Sequence, residues 1–184
     1  RIAIRREMER PEATRDWSSI DNSLEAELAK NPHNAELLSI QCDVLRLRNR
    51  SGEGLKLVRA AREARPEDDS LIALEVMQLL LDGSTPEADN IARAQELLQN
   101  IGRDSAVLRL SQARVEASRG EGQLGPRLLE MSGNVSNWTV AERTQLFEGL
   151  SRIAAANGCL DEALKIHEAN LNLQPDSIEL LLGR

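Results

Sequence analysis

The apolar positions of the chain recur at helical spacing. Trp17, Ile20, Leu24 and Leu28 fall three and four residues apart, which sets them along one face of a helix. The same spacing predicts helices over 17–30, 35–49, 53–65, 69–82, 87–101, 105–119, 123–131, 139–157 and 161–173, and no stretch reads as a strand. Turn-rich RNRSGEG, GSTPEAD from Gly83 and MSGNVSNW from Met131 break the pattern. Helix ends are legible too. Asp16 and Asp161 are expected to cap the helices that follow them, with Glu162 near the positive end of the second. Thr139 and Glu142 have the spacing of a capping box, and Gly158 after Asn157 suits a helix stop. Pro11 requires any helix before it to end by Arg10.

One segment departs from amphipathic spacing. SLIALEVMQLLL, residues 70–81, is apolar nearly all round, as expected of a helix covered on every side. Either the neighbouring turns fold over it, or Ala73, Met77 and Leu80, with Leu81, form an apolar floor open to a partner, where pliant Met77 accommodates varied side chains.

Prolines punctuate the helices at a fixed interval. Pro32 closes LEAELAKNP and Pro66 closes LVRAAREARP, 34 residues later; Pro175 closes LKIHEANLNLQP. In residues 144–177 the pattern W-x₂-L-G-x₂-Y, A-x₃-F, P falls on Phe147, Leu150, Ser151, Ala154, Ala163, His167 and Pro175, with Ala154 and His167 departing from the aromatics. In residues 35–68 the patterned places hold Leu38, Cys42, Leu45, Gly54, Val58, Ala61 and Pro66, and small Gly54 would let two helices approach closely. The chain thus resembles the tetratricopeptide repeat family over nearly its whole length. Two units are clear, and three more are inferred by continuity. The resemblance implies an all-α, right-handed solenoid of helical hairpins: one array over 1–184 with units 1–34, 35–68, 69–104, 105–143 and 144–177, and a further helix starting at 178–184. Other hairpin solenoids and a plain helical bundle are the runners-up, but a bundle gives no reason for the proline interval.

The resemblance also implies that partners are proteins or peptides held on the concave face formed by the first helix of each hairpin. On that face fall Glu36, Ser39, Asp43 and Arg46, then Ala73, Met77 and Leu80 beside Ser70, then Gln145, Glu148 and Arg152. Some tetratricopeptide domains clamp a C-terminal carboxylate with Lys and Asn; the matching places here hold Arg5 and Glu9, Ile40, Ser70 and Leu74, and only Arg5 fits that role.

Composition narrows the chemistry. The chain has 184 residues, one Phe, two Trp and no Tyr, and its 41% hydrophobic content is mostly aliphatic or Ala, which suits helices. A net charge of −7 argues against a nucleic-acid partner. The stretch Arg46–Arg65 runs against that trend with seven basic residues and two acids; it is either a solvated helix face or a seat for an acidic partner. Cys42 and Cys159 stand far apart and read as small buried residues. His33 reads as an exposed turn residue and His167 as a packing residue, so no catalytic, cofactor or metal set is expected. The triplets at Asn49, Asn134 and Asn137 match a glycosylation pattern that chance in turns explains. No run is apolar enough to span a membrane.

The expected role is a non-catalytic protein-interaction scaffold. The alternative is a regulatory or substrate-recruiting segment of a larger enzyme or transcription regulator. Because the chain opens on Arg1 and stops within SIELLLGR, it is expected to be a piece of a longer protein, with self-association through that stretch as a further possibility. The cytoplasm is the favoured compartment.

Overall fold

The structure is a computed structural model, and it describes residues 6–7, 9–10, 14–83, 85–120 and 122–173. These residues form helices α1 (Ser18–Lys30), α2 (Ala35–Leu47), α3 (Ser51–Ala64), α4 (Asp69–Leu81), α5 (Glu87–Gln99), α6 (Ala106–Arg119), α7 (Leu124–Met131), α8 (Val140–Ala156) and α9 (Leu160–Leu173). The protein is all-α, with no strand among the described residues. The Pro11 stop, Arg5, Pro175 and the helix expected from 178 lie outside them.

Two compact units divide the chain, 1–90 and 91–184, with the boundary inside α5. In the first unit α2 packs on α1, α3 and α4, and α3 packs on α4. Its core joins Leu38 and Cys42 of α2, Val58 and Ala61 of α3, and Leu71 and Leu74 of α4. A smaller cluster holds Ile20, Leu24 and Val44, with Trp17 partly buried against it. In the second unit α6 packs on α8 and α7 on α9, while α6–α7, α7–α8 and α8–α9 also touch. Its core gathers Leu110, Ala113, Leu128, Leu146, Phe147, Leu150 and Ile166. Full burial of each Leu contributes about 1.5–3 kcal/mol.

The proline interval is written into the backbone of the first unit. Asn31 and Arg65, each preceding a proline, take nearly the same conformation, φ −136°, ψ 71° and φ −137°, ψ 71°. A residue before proline is driven out of the helical region, so both helices stop there. Three residues on, Asn34 and Asp68 cap the next helices: Asn34 Oδ1 accepts from the Leu37 N–H at 3.0 Å, and Asp68 Oδ1 from Ser70 N–H at 3.0 Å. A second recurrence lies inside the hairpins. The Cys42 thiol donates to the Gly54 carbonyl at 3.6 Å, and the Ser151 hydroxyl donates to the Ala163 carbonyl at 3.0 Å, each bond spanning 12 residues. A small polar side chain on the first helix thus meets backbone at a Gly or Ala of the second. A Cβ on Gly54 would come within 3.2 Å of the Cys42 sulfur, so the close approach foreseen there is real. Burial, and secondarily the Asp43 charge, pushes the Cys42 thiol pKa up to about 12.

Helix bounds differ from the sequence reading by at most two residues. Asn49 takes φ 59°, so α2 ends before it and α3 starts at Ser51. Two caps need correction. Trp17, not Asp16, is the N-cap of α1, and Asp16 accepts from the Ser18 N–H at 2.9 Å from one residue further out. α9 starts at Leu160, so Asp161 lies in its first turn and acts on the helix dipole, not as a cap. The Thr139–Glu142 capping box is complete, and Gly158 has φ 78° as a helix stop. Cys159 is half-exposed, unlike its expected burial, because it lies in the α8–α9 turn.

Candidate functional site

α4 separates its faces despite its apolar sequence. Leu71, Ile72, Leu74, Val76 and Leu79 are buried, whereas Ala73, Met77 and Leu80 are half-buried and Leu81 is 43% exposed. Positions 73, 77 and 80 are one turn apart in succession, so they form a single apolar stripe. The turn beyond α4 is tied to the start of α5. Asn90 of α5, buried, donates to the Asp82 carbonyl at 2.8 Å and accepts from the Thr85 hydroxyl at 2.7 Å, so both ends of that turn are held by one side chain. Gly83, Thr85 and Pro86 remain exposed.

On the adjoining α2, Glu36 and Arg46 are exposed, and Ser39 and Asp43 are half-buried. Arg46 pairs with Asp43 at 2.8 Å along the same helix. The first unit therefore brings seven of the expected groove residues onto two touching helices, an apolar stripe beside a polar one. Gln145, Glu148 and Arg152 belong to the second unit, where all three are exposed on α8.

The basic stretch turns out to be largely neutralised. Glu75, on α4 and only 4% exposed, accepts from Arg59 Nε at 3.0 Å and also from Arg62 Nε. Burial of a carboxylate is costly unless it is paired and hydrogen-bonded, and two guanidinium groups supply both. Arg46 is held by Asp43, and Arg48 by Asp21 at 2.8 Å with its guanidinium 5.1 Å from the Trp17 ring centroid. Arg50 grips Glu53 with two bonds of 2.6 Å. That hydrogen bond lowers the Glu53 pKa and raises that of Arg50. Five of the seven cations thus have internal carboxylates, which favours the solvated-face reading over a seat for an acidic partner. Sequence spacing gave no sign of Glu75, because its partners lie on the preceding helix.

The second unit has a groove of about 430 Å³ between α6, α7 and the turn after α7. Arg109 organises it: its Nη1 donates to the Met131 and Gly133 carbonyls at 3.0 and 2.5 Å, it pairs with Asp104, and it stacks 4.5 Å from the Trp138 centroid. His33 is half-buried, not exposed as expected, with its Nδ1 shielded from solvent; that atom and the His167 Nε2 have no hydrogen-bond partner. Among the described residues no three His, Cys, Asp or Glu side chains are grouped to hold a metal, and no helix is long and apolar enough to cross a membrane. No protein-family model, curated protein or solved structure matches this chain.

Proposed function

We propose that the chain is a tetratricopeptide-like array, coiled as a right-handed solenoid, that serves as a non-catalytic scaffold for a partner polypeptide. The observation that carries this reading is the half-open apolar stripe Ala73–Met77–Leu80 on α4 beside the polar face of α2. Apolar residues on a helix core-packed on its other side stabilise the monomer less than buried ones, whereas a bound segment would complete their burial. The recurring cap, proline stop and hairpin bond support the repeat reading, because they repeat at patterned positions that composition alone does not require. An extended or helical segment would set apolar anchors on the stripe and polar groups against Glu36, Ser39, Asp43 and Arg46.

The test uses a displayed random-peptide library selected on the wild-type chain. Enriched peptides should carry apolar anchors, and the double variant Met77→Asp/Leu80→Asp should bind them at least tenfold more weakly with an unchanged helical circular-dichroism signal. Equal binding by a folded double variant would refute the role of the stripe.

A further inference from the structure

In the second unit α6 and α8 meet at a glycine. A Cβ at Gly149 would lie 2.3 Å from Leu110 Cδ2 and 2.8 Å from Cδ1, so the Leu110 side chain of α6 packs directly on Gly149 of α8 and fills the space a side chain there would take. One turn onward along α6 from Leu110 stands Arg114, and one turn onward along α8 from Gly149 stands Arg152. Arg114 is half-buried, and burial followed by the charge of Arg152 lowers its pKa below the ordinary value. Among the described residues neither arginine has a hydrogen bond or carboxylate partner. Glu148, one turn back on α8, forms no ion pair with Arg152. This contrasts with the basic stretch of the first unit, where carboxylates hold five arginines, and with Arg109, Arg119 and Arg127 nearby, which all have partners.

A half-buried cation that feels the charge of a second cation and has no counter-ion is destabilised until an anion joins it. Guanidinium forks match a carboxylate in geometry, and two of them at one seam can grip both its oxygens. Glu148 leaves the patch only one charge in excess, which suits a singly charged carboxylate better than a doubly charged phosphate. We propose that Arg114 and Arg152 together recognise the carboxylate of an acidic side chain on a partner polypeptide. The assignment rests on the scaffold reading and gives the partner a chemical feature at a place in the other unit from the Met77 stripe.

The experiment measures anisotropy of a fluorescein-labelled oligo-glutamate peptide, its glutamine counterpart and its phosphoserine counterpart on the full chain. The glutamate peptide should bind, and Arg114→Gln and Arg152→Gln should each weaken it about tenfold, the loss of one charge-assisted hydrogen bond. Lys165→Gln, which removes an exposed cation of α9, should leave affinity unchanged. Thermal melts verify folding, and Arg152→Gln should melt no lower than wild type because it relieves the repulsion. Equal affinity of the arginine variants and wild type, binding of the glutamine peptide as tightly, tighter binding of the phosphoserine peptide, or no binding of the glutamate peptide would each overturn the proposal. If library-selected peptides still sense Met77 and Leu80 while the glutamate peptide ignores both arginines, the scaffold stands and the carboxylate site falls.

Discussion

Replacement of Gly149 by Ala tests whether the α6–α8 seam is as tight as its geometry implies. The added methyl would stand 2.3, 2.8 and 3.1 Å from three carbons of Leu110, a residue 6% exposed and enclosed by the second unit's core. Alanine gains about 1 kcal/mol over glycine in a helix interior. Overpacking a core residue that has no room to turn costs about 1–3 kcal/mol. The net expectation is a loss of about 1 kcal/mol. Gly125 supplies the control: a Cβ there meets the Glu162 side chain at 2.8–3.0 Å, but Glu162 is half-exposed and its flexible carboxylate can swing into water. Gly125→Ala, in the first turn of α7, should therefore be neutral or stabilising by up to about 1 kcal/mol. Urea denaturation reads both, with equal slopes certifying that only stability changed. A double-mutant cycle sharpens the test, because Leu110→Ala should cost markedly less in the Gly149→Ala background than alone. A Gly149→Ala protein at least as stable as wild type, or a coupling near zero between the two positions, would refute the seam.

Glu75→Gln leaves Arg59 and Arg62 facing an uncharged amide. Because both arginines are roughly a third exposed or less, the expected loss is about 2 kcal/mol by chemical denaturation, and a change below about 0.5 kcal/mol would mean that the pairs only decorate the surface. Thr139→Ala removes the α8 cap at a cost of about 1 kcal/mol. The Thr139 side chain and backbone hold the Glu142 carboxyl below its ordinary 4.5, so its contribution is present above that pH and disappears as pH falls through the lower folded value; melting curves of Thr139→Ala should show less of that acid-side loss than wild type.

Element positions were legible because they rest on local chemistry. The apolar spacing of Ile20, Leu24, Leu38 and Leu45, the proline stops and the Thr139 box are each decided within a turn or two of sequence, and the helices follow them closely. Where an end was misread, tertiary context decided it: Trp17 takes the cap position while it lies beneath Arg48, so Asp16 is displaced outward. Charge was less legible than shape. Arg59 and Arg62 look free on α3 until α4 brings Glu75 against them, and Arg114 looks like one more surface arginine until Gly149 sets Arg152 beside it. Pairing across helices depends on which faces meet, and that information lies in residues dozens of positions away. The stripe of Ala73, Met77 and Leu80 was visible as a choice between open and covered, and the Asn90 bonds that hold the turn beyond α4 were not.

The Glu75 pairs also bear on how such a chain can be cut or lengthened. Pro66 closes the 34-residue interval in sequence, yet the two arginines of α3 find their counter-charge, and Val58 and Ala61 their apolar neighbours, on α4 beyond it. The modular boundary of the first unit is thus out of phase with its covalent repeat by one helix. A fragment excised at Pro66 would strand charges and expose core, whereas one carried through Leu81 would keep both the ion pairs and that core.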